Sequence, residues 1–130
     1  MPDDASQSKT ILVVDDDLAF QKIMQEMLKR EGYNVLLSSN GQEAIETAQR
    51  EVPAMIFLDV MMPGMSGGMI AHHLSENILT SNIPIVFLTS IISEEQEMVV
   101  DNDEGSYLFL AKPISADRLR EEVNKALGEG

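Results

Sequence analysis

Asp15, Asp16, Asp59, Thr89 and Lys112 are residues whose types could do chemistry together, and each stands at the end of a short apolar run. Asp15 and Asp16 follow Ile11-Leu12-Val13-Val14, and Asp59 follows Ile56-Phe57-Leu58. Thr89 follows Val86-Phe87-Leu88, and Lys112 follows Leu108-Phe109-Leu110-Ala111. Two carboxylates about 4 Å apart repel by roughly 4 kcal/mol at an effective dielectric near 20. Three gathered together stay ionised only beside a cation, or one of them takes up a proton. Oxygen donors without His or Cys suit a hard ion, and a partly hydrated, octahedral Mg2+ fits best. Such an ion would neutralise incoming phosphoryl oxygens and leave one carboxylate free to attack. Lys112 adds a mobile positive charge for the same oxygens, and the Thr89 hydroxyl adds a hydrogen-bond donor.

The elements that must bring these residues together alternate between strand and helix. Strands are expected at 10–14, 33–37, 54–58, 84–88 and 107–110, several of them apolar on both faces, as buried parallel strands are. Between the first two, Phe20, Ile23, Met24, Met27 and Leu28 recur at helical spacing, closed by Lys29, Arg30 and Gly32. Asn40 and Glu43 have the spacing of a second helix start, before Ala44, Ile45 and Ala48. A third helix follows Pro63-Gly64, with Ile70 and Leu74 facing inward. Ser93 and Gln96 suggest a short fourth helix with Met98 to Val100 as its apolar content. It dissolves into Asp101-Asn102-Asp103-Glu104-Gly105, an expected exposed acidic loop. That loop lacks the ligand pattern of a calcium site, because its twelfth position is Lys112. Ser115 starts the last helix, with Leu119, Val123, Ala126 and Leu127 on one side and Gly128 past its end. The whole reads as an α/β, doubly wound, five-stranded parallel sheet with helices on both faces; another α/β topology is the alternative. In such sheets ligands sit beyond the carboxyl ends of the strands, where the five polar residues fall.

The chain has 130 residues, 44% hydrophobic and 24% charged, which suits one domain with one core. Residues 1–9 read as a flexible leader without signal-peptide features, and residues 10–128 as the domain. There are no cysteines, which excludes disulfides, thiolate metal sites and cysteine nucleophiles and fits a cytoplasmic location. A net charge of −13 argues against direct binding to DNA or to anionic lipid, and no apolar run is long enough to span a membrane.

Four segments make the chain resemble the receiver domains of bacterial two-component response regulators. They are Ile11-Leu12-Val13-Val14-Asp15-Asp16-Asp17, Leu58-Asp59-Val60-Met61-Met62-Pro63-Gly64-Met65, Leu88-Thr89-Ser90 and Ala111-Lys112-Pro113. Each alone is weak; together, in this order and spacing over residues 9–128, they are specific. The resemblance implies a flavodoxin-like sheet in the order 2-1-3-4-5. It makes Asp59 the phosphoacceptor, with phosphoryl coming from a sensor histidine kinase or phosphotransfer protein. Asp16, Asp59 and the main-chain carbonyl of Met61 would bind Mg2+, and Asp15 would act through water. Thr89 and Lys112 would contact the phosphoryl group, and Phe109 would be the switch aromatic. An unknown downstream protein would read the face built by the fourth helix, fifth strand and last helix. The expected role is a signalling switch that catalyses only its own phosphorylation and dephosphorylation.

Each assignment has a plainer counterpart. Asp17 is equally well a helix cap. Phe109 could be ordinary core, and His72 and His73, being adjacent, read as surface residues. Ser66-Gly67-Gly68 stands where the family usually has Asp-Gly, and the weak fourth helix is a second departure from the family, at the output face. An aspartyl-phosphate phosphatase of the haloacid-dehalogenase kind is disfavoured, since Met61 stands where its second Asp is needed. An FMN binder is disfavoured because the first strand leads into acids. A receiver unable to take phosphate is disfavoured because all the expected site residues are present. The chain is either a stand-alone receiver or a piece of a larger regulator.

Overall fold

A computed structural model describes residues 9–102 and 105–128. The expected leader lies outside these residues except for Lys9, whose carbonyl accepts the Asn34 N–H at 2.9 Å.

β1 (Thr10–Val14), α1 (Leu18–Arg30), β2 (Asn34–Ser38), α2 (Gly41–Glu51), β3 (Met55–Asp59), α3 (Gly67–Ser75) and β4 (Ile85–Thr89) alternate as expected. After a single 3-10 turn at Glu94–Gln96 come β5 (Met98–Asn102), β6 (Gly105–Ala111) and α4 (Ala116–Leu127). The sheet has six strands in the order β2-β1-β3-β4-β6-β5. Its five parallel strands keep the expected 2-1-3-4-5 order, and β5 adds an antiparallel edge.

β5 corrects the expected fourth helix. The cap at its start is made, since the Ser93 N–H donates to Gln96 Oε1 at 2.8 Å, but it supports only one turn. Met98, Val99 and Val100 are consecutive apolar residues, two of them β-branched, and cannot share one helical face. As a strand they pair with Phe109, Leu108 and Tyr107, which satisfies their inner main-chain groups. Asp101 and Asn102 therefore end a strand and Gly105 begins one; Asp103 and Glu104 lie outside the described residues.

β1, β3 and β4 are buried on both faces. Ile11, Val13, Met55, Phe57, Val86 and Leu88 pack with Met24 and Leu28 of α1 and Leu119 and Val123 of α4. Leu12, Val14, Ile56, Leu58 and Phe87 pack with α2 and α3 through Ala44, Ala48, Ile70 and Leu74. Ile23, although at helical spacing with the others, faces solvent.

The caps read from the sequence are formed. Asn40 Oδ1 accepts the Glu43 N–H at 2.9 Å, and Glu43 Oε1 accepts that of Ser39 at 2.9 Å. Ser115 accepts the Arg118 N–H at 3.1 Å, and Gly128 ends α4 at φ 71°, a left-handed conformation suited to glycine. No helix of the described residues is long and apolar enough to cross a membrane.

Candidate functional site

Strand register brings the polar residues to one edge. Asp59, the last residue of β3, pairs with Leu88, next to Thr89 at the end of β4. Thr89 pairs with Ala111, next to Lys112, while β1 lies on the other side of β3 and leads into Asp15. Neighbouring strands lie about 4.8 Å apart, so residues distant in sequence become adjacent at the strand ends.

Asp15 is the most firmly held. Its N–H donates to the Ser38 carbonyl at 3.0 Å, and its own carbonyl accepts from Gln21 Nε2 at 2.6 Å. The same Gln21 nitrogen donates to Ser38 O at 2.8 Å, tying α1 across β1 and β2. Both carboxylate oxygens of Asp15 are engaged: Oδ1 accepts the Asp17 N–H at 2.9 Å, and Oδ2 lies 2.6 Å from Lys112 Nζ. Asp17 caps α1, accepting the N–H groups of Ala19 and Phe20 at 3.0 and 3.2 Å. Asp16 is exposed, with no hydrogen-bonded partner among the described residues.

Asp59 is buried, and its Oδ1 accepts the Met61 N–H at 3.3 Å and lies 3.6 Å from Lys112 Nζ. Burial, and next the Asp15 carboxylate, push its carboxyl above the ordinary range, against the Lys112 ammonium and the Met61 N–H. One carboxylate oxygen from each of Asp15, Asp16 and Asp59 lies within 4.8 Å of the other two. One ammonium therefore faces a cluster of three carboxylates, all of them hard oxygen donors. That donor set fits Mg2+.

Lys112 is held at its main chain and at its ammonium. Its N–H donates to Thr89 O at 2.9 Å, its ammonium lies 4.5 Å from the Phe20 ring centroid, and its peptide bond to Pro113 is cis. Thr89 is buried, and its Oγ1 accepts the Ile91 N–H at 3.3 Å. Phe109 stands apart from the carboxylates, partly buried, with its ring stacked on Phe87 at 4.6 Å and 12°. Phe87 lies two residues before Thr89 on the same face of β4, so Thr89, Phe87 and Phe109 form a row across that face. Met61 and Ile91 are exposed at the loops that follow β3 and β4.

The Ser66-Gly67 departure serves the site. Ser66 caps α3 by accepting the Met69 N–H at 3.3 Å. A Cβ at Gly67 would collide with the Asp59 carbonyl oxygen, so glycine lets α3 begin directly against that loop.

Glu97 was not legible as part of this region. Its Oε2 accepts the N–H of Ala111, the residue before Lys112, at 3.0 Å. Its Oε1 accepts from Arg118 Nη1 on α4 at 2.8 Å. Gln21 is likewise outside the motifs, and Phe20 is marked by its spacing only as part of the apolar face of the helix. Gln21, three residues before Met24 and seven before Leu28, carries a positional signal, because it falls on the buried side of α1.

The sequence profile of the response regulator receiver domain matches residues 11–124. Sporulation initiation phosphotransferase F of Bacillus subtilis is 30% identical over 92% of this chain and 94% of its own length. A probable transcriptional regulator, ycf27 of Pyropia yezoensis, is 32% identical over 94% of this chain but only 49% of its own length. The chain thus spans about half the length of some relatives it matches. Among solved structures, the chemotaxis protein CheY4 of Vibrio cholerae superposes with a TM-score of 0.78 at 26% identity. That match covers 92% of this chain and 99% of the other.

Proposed function

This chain belongs to the response-regulator receiver family, phosphorylation-switched signalling domains, and we propose that Asp59 is its phosphoacceptor. The observation that carries the reading is the buried Asp59 carboxylate, 3.6 Å from the Lys112 ammonium and clustered with Asp15 and Asp16. An Asp59 oxygen attacks the phosphorus of a phosphohistidine on a sensor histidine kinase or phosphotransfer protein. The O–P bond forms as the N–P bond breaks, and the bonding electron pair leaves on the imidazole nitrogen. A relative of nearly the same length is named a phosphotransferase, which supports such a donor.

Receiver domains bind Mg2+ at an acidic site, and here Asp16, Asp59 and the main-chain carbonyl of Met61 would hold it directly. When bound, it supplies charge neutralisation for the phosphoryl oxygens. Asp15 would reach it through water, a role favoured by the engagement of both its oxygens, whereas Asp16 has no hydrogen-bonded partner among the described residues.

Lys112 moves from Asp15 toward the new phosphoryl oxygens, and the Thr89 hydroxyl donates to another. The row from Thr89 through Phe87 to Phe109 carries the shift to the β5–β6 face, where a downstream protein reads it. The chain catalyses only its own phosphorylation and dephosphorylation. Met61, two residues past Asp59, offers no carboxylate for general acid–base turnover of phosphate esters. The same reading puts the protein in the cytoplasm, acting on proteins and not directly on DNA or membrane.

Incubation with acetyl phosphate and Mg2+, followed by intact-mass measurement, tests the reading. A gain of one phosphoryl group that vanishes in Asp59→Asn supports it. Sustained hydrolysis of added phosphate esters favours a phosphatase instead.

A further inference from the structure

β5 leaves one hydrogen-bonding edge of the sheet open. The Lys112 N–H points to β4, donating to Thr89 O at 2.9 Å, whereas the Ala111 N–H points away from β4, to Glu97 at 3.0 Å. By the alternation of a strand, Tyr107 and Phe109 turn their main-chain groups toward β5, and their partners Val100 and Met98 turn theirs inward to meet them. Val99 and Asp101 are left with N–H and C=O groups directed out of the sheet. Among the described residues no other strand lies beyond them.

The side chains along this edge are unusual for an outer strand. Met98 and Val99 point to opposite faces, yet they are 51% and 62% exposed. Apolar residues on both faces are the pattern of an interior strand.

Charge decides what could pair there. Glu94, Glu95 and Asp101 are exposed around β5, Asp103 and Glu104 follow in the sequence, and the chain carries −13 overall. A second copy pairing edge to edge would set these acids against their own kind, and charged edges of this sort resist self-association. A basic segment meets attraction instead. We propose that the outer edge of β5 receives an extended segment of a protein partner, with apolar and basic side chains in alternation, added as a further strand of the sheet. The proposal concerns this edge alone and stands whether or not Asp59 is the phosphoacceptor.

Val99→Pro provides the test, because it deletes an outward N–H and no inward one, a position where an edge strand tolerates proline. The probe is a short labelled peptide of alternating Lys and Val, titrated into the full chain and followed by fluorescence anisotropy. Wild type binds it, and Val99→Pro, with an unchanged circular dichroism spectrum, binds roughly tenfold more weakly, about one lost hydrogen bond. The same peptide N-methylated at alternate residues loses affinity for wild type as well, which covers the case of a misfolded variant. No binding to wild type overturns the proposal. So does affinity unaffected by N-methylation, which would mean attraction of charge alone. Sedimentation showing a dimer that Val99→Pro abolishes makes a second copy the occupant and overturns it too.

Discussion

The Lys112 ammonium lies 2.6 Å from Asp15 Oδ2, a whole ångström nearer than its 3.6 Å approach to Asp59. This lysine neutralises the aspartate beside Asp59, and the two side chains are only 14% and 2% exposed. Removing one partner of a buried pair strands the other charge. Lys112→Met is expected to cost about 3 kcal/mol in Mg2+-free buffer, measured by urea unfolding, and distinctly less with saturating Mg2+. The loss should also shrink in an Asp59→Asn background, because the carboxylates no longer all need neutralising.

Asp59 itself opposes folding when ionised. Its carboxyl is raised above its ordinary value of 3.8, first by burial and then by Asp15. A raised carboxyl favours the native state fully below the unfolded value, and the benefit is lost as pH rises through the folded value. Without Mg2+, Asp59→Asn should therefore be more stable than wild type at neutral pH. The gap should close on acidification toward 3.8. Urea midpoints across a pH series check this; a gap constant with pH would contradict it.

Glu97 joins the hairpin to Lys112's strand and to α4. β5 ends its pairing at Met98↔Phe109, so the inward N–H of Ala111 has no main-chain partner there, and the Glu97 carboxylate supplies the acceptor. Glu97→Ala leaves a buried N–H unpaired and should cost about 1–2 kcal/mol, the half-exposed Arg118 pair adding little. Glu97→Gln keeps an acceptor and should cost less than about 1 kcal/mol. Thermal unfolding separates the two; equal losses would show that charge, not the Ala111 bond, is what counts.

Met61 and Ile91 bear on how long the phosphorylated state lasts. Both side chains are apolar and exposed in the loops that follow β3 and β4, so neither offers a polar group to orient a hydrolytic water. The aspartyl phosphate is expected not to be short-lived. Met61→Asn or Ile91→Glu should speed its loss by roughly tenfold, the low side of what a positioned polar group supplies. Decay of the phosphorylated mass after removal of the donor measures it; rapid loss from wild type would contradict this.

Much of this molecule is legible along the chain. Asp15, Asp59 and Thr89 end runs apolar on both faces, so a buried parallel sheet and a polar edge follow from one pattern. The caps at Asn40 and Ser115 and the glycine past α4 are local chemistry, and local chemistry is written locally. β5 is different. Met98-Val99-Val100 sits between a made cap and an acidic stretch, and only pairing with Tyr107 to Phe109 makes it a strand. Glu97 is one of 22 acidic residues, and its partner Arg118 lies 21 residues away, so nothing nearby marks it.

Phosphoryl transfer to Asp59 has a direct chemical readout. Borohydride reduces an aspartyl phosphate to homoserine, and peptide mass spectrometry then reads its position after treatment with acetyl phosphate and Mg2+. Homoserine is expected at position 59, and nowhere in Asp59→Asn. Homoserine at another aspartate, or a phosphoryl group that resists borohydride, would contradict it.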